Sequence, residues 1–249
     1  MLLVTLAVAV VAAIRGMWSP CGLSMLASLN PLSETARGNR FWLTAVWYVA
    51  GAVVGGALLG AGCAVAAWGY ARLHATTSVT WIAVSVAALI AVASDTAVFG
   101  RSLPDHPRQV DERWLVKYRR WIYAGGYGVQ IGTGFATYIM TAAVYLVAVL
   151  AVLTGSAAQA ASVALTFGLV RGLTIVVAAP ARTPERLRAA HRRIAALTAV
   201  SLWACVGVCA ATSVVAGFVV GGAALAGAVA LAAALLAAAP SLRPRVVSS

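Results

Sequence analysis

The residues best suited to chemistry in this sequence lie in the segment Arg15-Gly16-Met17-Trp18-Ser19-Pro20-Cys21-Gly22, within a longer apolar run. Pro20 has no amide hydrogen with which to continue a helix, and it disfavours helical backbone at the residue before it. We therefore predict a break in the helix, after which a second half-helix begins with Ser19 as N-cap and Cys21 in its first turn. The positive end of a helix dipole favours a thiolate, although apolar burial opposes it. Cys21 is accordingly the candidate catalytic thiol, and a proline kink beside a small buried cysteine is the alternative interpretation.

Three charged side chains, Arg15, Arg171 and Asp95, fall inside apolar runs. Charge is expensive within a membrane, so such residues usually face a cavity or a partner. Arg15 would attract an anion, or favour the thiolate of Cys21 if the fold brings the two together. Asp95 either serves such a site or simply reaches the cytoplasmic interface.

The remaining thiols and two polar residues are further candidates. Cys205 and Cys209 are one helical turn apart, a spacing compatible with a shared metal or redox role, although small apolar packing is the commoner explanation. Cys63 is a third possible secondary thiol. Gln130 and Tyr138 are candidate cavity-lining groups, with packing as the alternative. No metal site is predicted.

Ser19-Pro20-Cys21-Gly22-Leu23-Ser24-Met25-Leu26, the polar loop after it and a glycine-rich second span resemble the membrane thiol-disulfide carriers of the CcdA and DsbD type, and also the MauF-type proteins of methylamine utilisation. The resemblance continues at Val129-Gln130-Ile131-Gly132-Thr133-Gly134-Phe135 and at Phe167-Gly168-Leu169-Val170-Arg171-Gly172, and so covers roughly residues 15 to 180. It implies a core of two inverted repeats of three helices. It also implies that reducing equivalents pass outward from a cytoplasmic thioredoxin.

The sequence departs from these carriers at their second cysteine. The carriers have a Pro-Cys pair in the first span and another in the fourth, whereas the corresponding position here reads Thr137-Tyr138 and the fourth span has no cysteine. Cys21 would therefore pair with Cys63, Cys205 or Cys209, or form a mixed disulfide with a partner protein. Thiol exchange requires only an accessible thiolate and a disulfide.

The leading functional hypothesis is transfer of reducing equivalents for the maturation of an extracytoplasmic redox protein, with a thioredoxin-like or extracytoplasmic redox protein as partner. If the protein is an enzyme, its reaction is thiol-disulfide exchange, and no cofactor is expected. A small-solute or ion transporter is the first alternative, because a broken first helix and buried arginines also describe a substrate site near the bilayer midplane. A noncatalytic membrane assembly factor is the second.

The composition places these residues in a lipid bilayer. Of the 249 residues, 62% are hydrophobic and 10% are charged, and the mean hydropathy is +0.93. A soluble globular domain is about 45–50% apolar. A spanning helix needs roughly 20 apolar residues, so seven spans would use well over half of the chain and leave no room for a soluble catalytic domain.

Long apolar runs bounded by charge or by proline and glycine predict an all-α, polytopic membrane protein with seven spans. The predicted spans are residues 2–29, 41–68, 80–99, 121–153, 157–179, 193–211 and 217–239. We interpret the chain as one transmembrane domain, 1–249. Its parts are a first three-helix unit at 1–99, a second at 121–211 and an additional C-terminal helix at 217–239.

Glycines and one polar pair refine these spans. Small residues let helices approach closely in lipid, so the glycines of the second span predict a packing surface. They are Gly51, Gly55, Gly56, Gly60 and Gly62. The glycine run of the fourth span predicts a single kinked helix. A turn at Thr212 and Ser213, before Gly217, is expected to divide the last two spans, because one helix there would be about 60 Å long.

The basic residues predict the orientation. The chain has 18 basic and 6 acidic residues, and 15 of the 18 fall in the connections after spans one, three and five or in the C-terminal tail. By the positive-inside rule these connections are cytoplasmic, so the N-terminus is extracytoplasmic and the C-terminus cytoplasmic in a plasma-membrane protein. The net charge of +12 is thus a topology signal, and it gives no reason to expect nucleic-acid binding.

Single cysteines introduced at Arg113 and Arg188 test this orientation. Both are expected to resist a membrane-impermeant thiol reagent in intact cells and to react after the cells are opened, because both lie in predicted cytoplasmic connections. Labelling at residue 113 from outside intact cells would overturn the orientation.

Overall fold

The structure is a computed structural model, and it describes residues 1–96 and 113–238. Three predicted features extend beyond these residues: the end of the third span at 97–99, the basic residues Arg101 and Arg108 of the following loop, and the C-terminal tail from residue 239. Within the described ranges the regular structure is entirely helical, as the all-α prediction requires.

Eleven α-helices lie in the described part of the chain. In order they are α1 (Leu2–Arg15), α2 (Pro20–Ser28), α3 (Pro31–Ala36), α4 (Phe41–Ala71), α5 (Thr77–Asp95), α6 (Trp114–Lys117), α7 (Arg120–Thr133), α8 (Ala143–Leu153), α9 (Ala157–Leu173), α10 (Pro184–Ala196) and α11 (Thr198–Ala238). Two 3₁₀ segments, Gly16–Trp18 and Thr174–Ala178, follow α1 and α9.

Within residues 1–96 and 113–238, four helical segments are long and apolar enough to cross a membrane: α4, α5, α9 with its 3₁₀ extension, and α11. A fifth span results if α1 and α2, which meet at a 66° bend, are counted as one. Large apolar side chains such as Leu58, Val65 and Ile90 are exposed along these helices, Val65 to 70%. Lipid is the environment in which such surfaces are stable, so the chain is a multi-pass membrane protein. The prediction of seven spans is not confirmed.

The break predicted in the first span is confirmed. Ser19 has an extended backbone (ψ 155°), and its side chain accepts a hydrogen bond from the amide of Gly22 at 3.2 Å, as an N-cap does. The Ser19 hydroxyl also donates to the carbonyl of Gly16 at 2.7 Å. Pro20 occupies the first helical position, where its missing amide hydrogen costs nothing.

The fourth span differs from its prediction as a single kinked helix over 121–153. Helix α7 ends at Thr133, Gly134 adopts a positive φ of 73°, and regular helix resumes only at Ala143. A glycine takes this left-handed conformation without the clash that a Cβ would cause, and so terminates α7. The fourth segment is therefore a discontinuous helix, like the first.

The turn predicted at Thr212 and Ser213 is wrong. Both residues are helical and buried, and their hydroxyls donate to the carbonyls of Val208 and Ala210 at 2.8 and 2.7 Å. Serine and threonine can remain within an apolar helix because such bonds satisfy their hydroxyls internally.

The actual break in α11 lies at two adjacent glycines. Gly221 and Gly222 have non-helical backbone, with a φ of 67° at Gly222. A Cβ on Gly217 would lie 3.4 Å from the Cα of Ala226 and 3.2 Å from the side chain of Val229, so the chain folds back after the break. Residues 198–220 and 223–238 are thus two helical arms of one hairpin.

The glycines of α4 bring two neighbouring helices into backbone contact. Gly51 and Gly55 face the α7 backbone at Gly125 and Val129, and a Cβ on either glycine would overlap it. On α9, the Cα of Gly168 lies 3.1 Å from the position of a Cβ on Gly56. The predicted packing surface is therefore confirmed, except at Gly62, which would meet no atom within 4 Å.

One end of the helix bundle carries the described basic connections. The amide of Leu32, in α3, donates to the carbonyl of Ala181 before α10 at 3.3 Å. The indole of Trp18 donates to the carbonyl of Ile194 in α10 at 2.7 Å. The connections after the first and fifth predicted spans therefore lie together, as the charge pattern predicts. Which side of the membrane they occupy remains a prediction.

A buried carboxylate organises this end. Glu34 is fully buried, pairs with Arg37 at 2.8 Å and accepts hydrogen bonds from the hydroxyls of Thr44 at 2.5 Å and Tyr123 at 2.9 Å. It thereby joins α3, α4 and α7.

Helix α10 begins at the same end with the N-cap Thr183, which accepts from the amide of Arg186. The backbone amide of Glu185 and the Thr183 hydroxyl hold the pKa of the Glu185 carboxyl below its usual value.

The substitution Gly55→Ala tests the helix contacts. It is expected to destabilise the protein by about 1–3 kcal/mol, because the added methyl group would overlap the α7 backbone. Gly62→Ala, in the same helix but facing open space, is the matched control and should be neutral or slightly stabilising. The measurement is the unfolding midpoint in detergent micelles. Equal midpoints for the two variants would contradict the packing model.

Candidate functional site

A small cavity adjoins the break in the first span. It has about 20 Å³ of space for water, enough for one or two water molecules or a compact ion. Its walls come from the 3₁₀ segment, α2, α4, α7 and α9 with its extension. The lining residues are Gly16, Met17, Gly22, Met25, Leu26, Tyr48, Ile131, Arg171, Thr174, Ile175 and Ala178.

Arg171 is the charged residue of this cavity. Its side chain is 4% exposed, and its guanidinium lies against Gly16 so closely that a Cβ on that glycine would overlap it. The guanidinium carbon is 5.8 Å from the centre of the Phe167 ring. Its Nε and Nη1 atoms are buried and have no hydrogen-bond partner among the described residues.

Cys21 lies beside this cavity, in the first turn of α2. Its side chain is 1% exposed and packs in a core cluster with Trp18, Met25 and Tyr48. Arg171 and Tyr48 are within electrostatic range of its sulfur. The arginine close to the thiol is thus Arg171, which comes from another helix.

Arg15 points elsewhere, so the expectation that it would act on Cys21 is not met. Its Nη1 donates to the hydroxyl of Ser201 at 2.6 Å and to the carbonyl of Thr198 at 3.3 Å, both in α11. Its electrostatic neighbours are Asp95 and Cys205. The 3₁₀ segment after Arg15 turns the chain, which separates this side chain from the next helix.

Asp95 holds the discontinuous fourth span in place. One carboxylate oxygen accepts a hydrogen bond from the amide of Ala142 at 2.6 Å, and the other accepts from the hydroxyl of Thr141. Asp95 thereby supplies the acceptor for an amide at the start of α8, which α8 itself cannot satisfy. Of the two roles predicted for Asp95, the structure favours an internal one.

Two further thiols lie next to this carboxylate. The hydroxyl of Thr141 is 3.5 Å from the sulfur of Cys205, and Cys205 is hydrogen-bonded to Cys209. Both belong to a core cluster that includes Cys63 but not Cys21. None of the four cysteines forms a disulfide. In residues 1–96 and 113–238, no group of three His, Cys, Asp or Glu side chains could hold a metal ion.

The residues that line the cavity differ in part from those predicted from the sequence. Neither Gln130 nor Tyr138 is in the cavity wall, and Tyr138 packs against the cluster that contains Cys21. Ile131, Tyr48 and Thr174 line the cavity instead. The placement of Tyr48 and Thr174 has no local sequence signal, since each is an isolated hydroxyl within an apolar run.

Comparisons with known proteins identify relatives of one kind. Methylamine utilization protein MauF of Paracoccus versutus is 31% identical over 166 residues, which are 64% of this chain and 59% of that protein. MauF of Paracoccus denitrificans is 28% identical over 199 residues, 77% of this chain and 70% of that protein. MauF of Methylophilus methylotrophus is 29% identical over 169 residues, which are 64% of this chain and 56% of that protein.

The chain is therefore a multi-pass membrane protein similar to MauF proteins. The match spans less than two thirds of the length of the first of these relatives. No family model and no solved structure matches the chain. The resemblance to the CcdA and DsbD carriers is accordingly not confirmed.

Asp95→Ala tests the internal role of this carboxylate. The substitution would leave the Ala142 amide and the Thr141 hydroxyl without their acceptor, and it is expected to cost about 1–3 kcal/mol of stability. Asp95→Asn, which keeps one carbonyl acceptor, should cost less. Unfolding midpoints in detergent micelles measure both. If Asp95→Ala is as stable as the parent protein, the carboxylate does not hold α8.

Proposed function

We propose that this protein serves methylamine utilization by passing reducing equivalents across the plasma membrane through thiol-disulfide exchange at Cys21, for the maturation of an extracytoplasmic redox protein. The observation that carries the proposal is the position of Cys21 in the first turn of α2, with Arg171 as a nearby cation. The similarity to MauF proteins supports the pathway.

Two features favour a reactive thiolate at this position. Cys21 lies in the first turn of α2, at the positive end of the helix dipole, and no acidic side chain among the described residues pairs with the cation of Arg171. Apolar burial acts in the opposite direction, because it disfavours a charged sulfur. The helix end and Arg171 act against that cost, whereas Arg15 is directed to α11.

The exchange follows from ordinary thiolate chemistry. The Cys21 thiolate attacks one sulfur of the target disulfide, forming a mixed disulfide and releasing the other target sulfur as a thiolate that takes a proton. A dithiol donor of thioredoxin type then attacks the Cys21 sulfur and releases the second target thiol. The second donor thiol displaces Cys21. The target disulfide is thereby reduced, and the donor dithiol is oxidised to a disulfide.

The second thiol of this exchange comes from the partner. Cys63, Cys205 and Cys209 pack in the other core cluster, so none of them is placed to resolve a disulfide at Cys21. Cys21 is 1% exposed, so a partner sulfur reaches it only when the α1–α2 break opens toward the adjacent cavity.

A small-solute transporter is the second candidate. The observation that favours it is the pair of discontinuous helices, one at 16–19 and one at 134–142, with a buried arginine beside the first. Transporters form substrate sites from such interrupted helices. Thiol chemistry is not required for that function.

Cys21→Ser separates the two candidates. Under thiol exchange, the variant should lose mixed-disulfide trapping with a thioredoxin-like or extracytoplasmic partner, and the partner should accumulate in its oxidised form, because serine cannot act as a thiolate. Cys63→Ser, equally small and buried in the other cluster, is the matched control and should behave as the parent. The measurements are partner redox state by thiol alkylation and protein level in membranes.

Full reduction of the partner by Cys21→Ser would overturn the exchange proposal. Retained solute uptake in that variant, with uptake lost in Arg171→Gln, would support the transporter instead.

A further inference from the structure

Two arginines are buried in the described part of the chain, and their surroundings differ. Each side chain is 4% exposed. Arg15 donates through Nη1 to Ser201 and Thr198 and has Asp95 as a charged neighbour, although its Nε has no acceptor among the described residues. Arg171 makes contact with Gly16 and the Phe167 ring, while its Nε and Nη1 have no acceptor in the described part of the chain.

No acid in the described ranges neutralises Arg171. Glu34 is paired with Arg37, Asp95 is bonded to Thr141 and Ala142, and Glu185 is exposed at the start of α10. An unpaired buried cation with unsatisfied N–H groups is strongly unfavourable. These surroundings favour a ligand that accepts the hydrogen bonds and also carries negative charge.

We propose that the cavity beside Arg171 binds a small monovalent inorganic anion, such as chloride, which accepts hydrogen bonds from Nε and Nη1. The cavity has room for a compact ion, since its space matches one or two water molecules. None of its lining residues is acidic, and Tyr48 is a further polar residue of the wall. The Thr174 hydroxyl donates to the carbonyl of Arg171 at 2.6 Å and so offers no proton to the cavity.

Gly16 makes room for this binding group. The guanidinium occupies the space that any larger side chain at residue 16 would fill. Arg171 can therefore adopt this position only because residue 16 is a glycine. The inference goes beyond thiol exchange at Cys21. A bound anion and a Cys21 thiolate would be alternative counter-charges for the same cation of Arg171, and the chloride test below does not require the exchange to occur.

The test is the thermal stability of the purified full chain in detergent micelles, with chloride replacing gluconate at constant ionic strength. Gluconate is too large for the cavity. A ligand that binds the folded state raises Tm with its concentration, so the parent should gain a few degrees as chloride rises from about 1 to about 100 mM. Arg171→Gln should lose this gain. Arg15→Gln, which removes an equally buried cation, should keep it.

If Arg171→Gln does not fold, a second variant and a second measurement still test the proposal. Gly16→Ala keeps the arginine but places a methyl group where the guanidinium lies, and it should also lose the chloride response. Crystals of the parent protein soaked in bromide should show anomalous scattering next to Nε and Nη1. The proposal is overturned if the parent shows no chloride response, if Arg171→Gln or Gly16→Ala keeps the full response, or if no bromide lies at Arg171.

Discussion

Backbone contact between helices is the constraint on which this structure depends. Lipid provides little hydrophobic drive for helix association, so close van der Waals packing must supply it. Helix α4 packs closely on two sides. Gly51 and Gly55 allow the backbone of α7 to approach, and Gly56 allows that of α9 to approach. Arg171 lies in the part of α9 that this contact holds against α4. The position of the buried cation is therefore set by glycines that do no chemistry themselves.

The two interrupted helices give this bundle its polar interior. An unbroken helix satisfies its own backbone groups, whereas each interruption exposes amides and carbonyls that need partners within the protein. At the first break Ser19 caps α2 by itself. At the second, Asp95 reaches across from α5 to the start of α8. One break is thus closed locally and the other by a distant acid, which places Asp95 and the neighbouring Cys205 in the core.

The features that could be predicted from the sequence depend on interactions between residues that are close together in the chain. Proline geometry and the N-cap at Ser19 act within a few residues, so the first break could be located exactly from the sequence. Contacts between distant residues were not predictable. The bond from Thr141 to Asp95 joins residues 46 apart, and Arg171 reaches Cys21 from a different helix. The misplaced turn at Thr212 has a different cause. Its hydroxyl donates to the carbonyl of Val208 in the same helix, so a polar residue there does not require the helix to end.

The hydrogen bond from Trp18 to Ile194 links the break in the first span to the basic helix α10. Trp18 ends the 3₁₀ segment that precedes Cys21, and Ile194 is the buried residue of α10, whose arginines are exposed. Helix α10 cannot lift from the bundle without breaking this buried bond. The position of α10 and the geometry of the chain just before Cys21 are therefore joined by one buried hydrogen bond, which a displacement of either would remove.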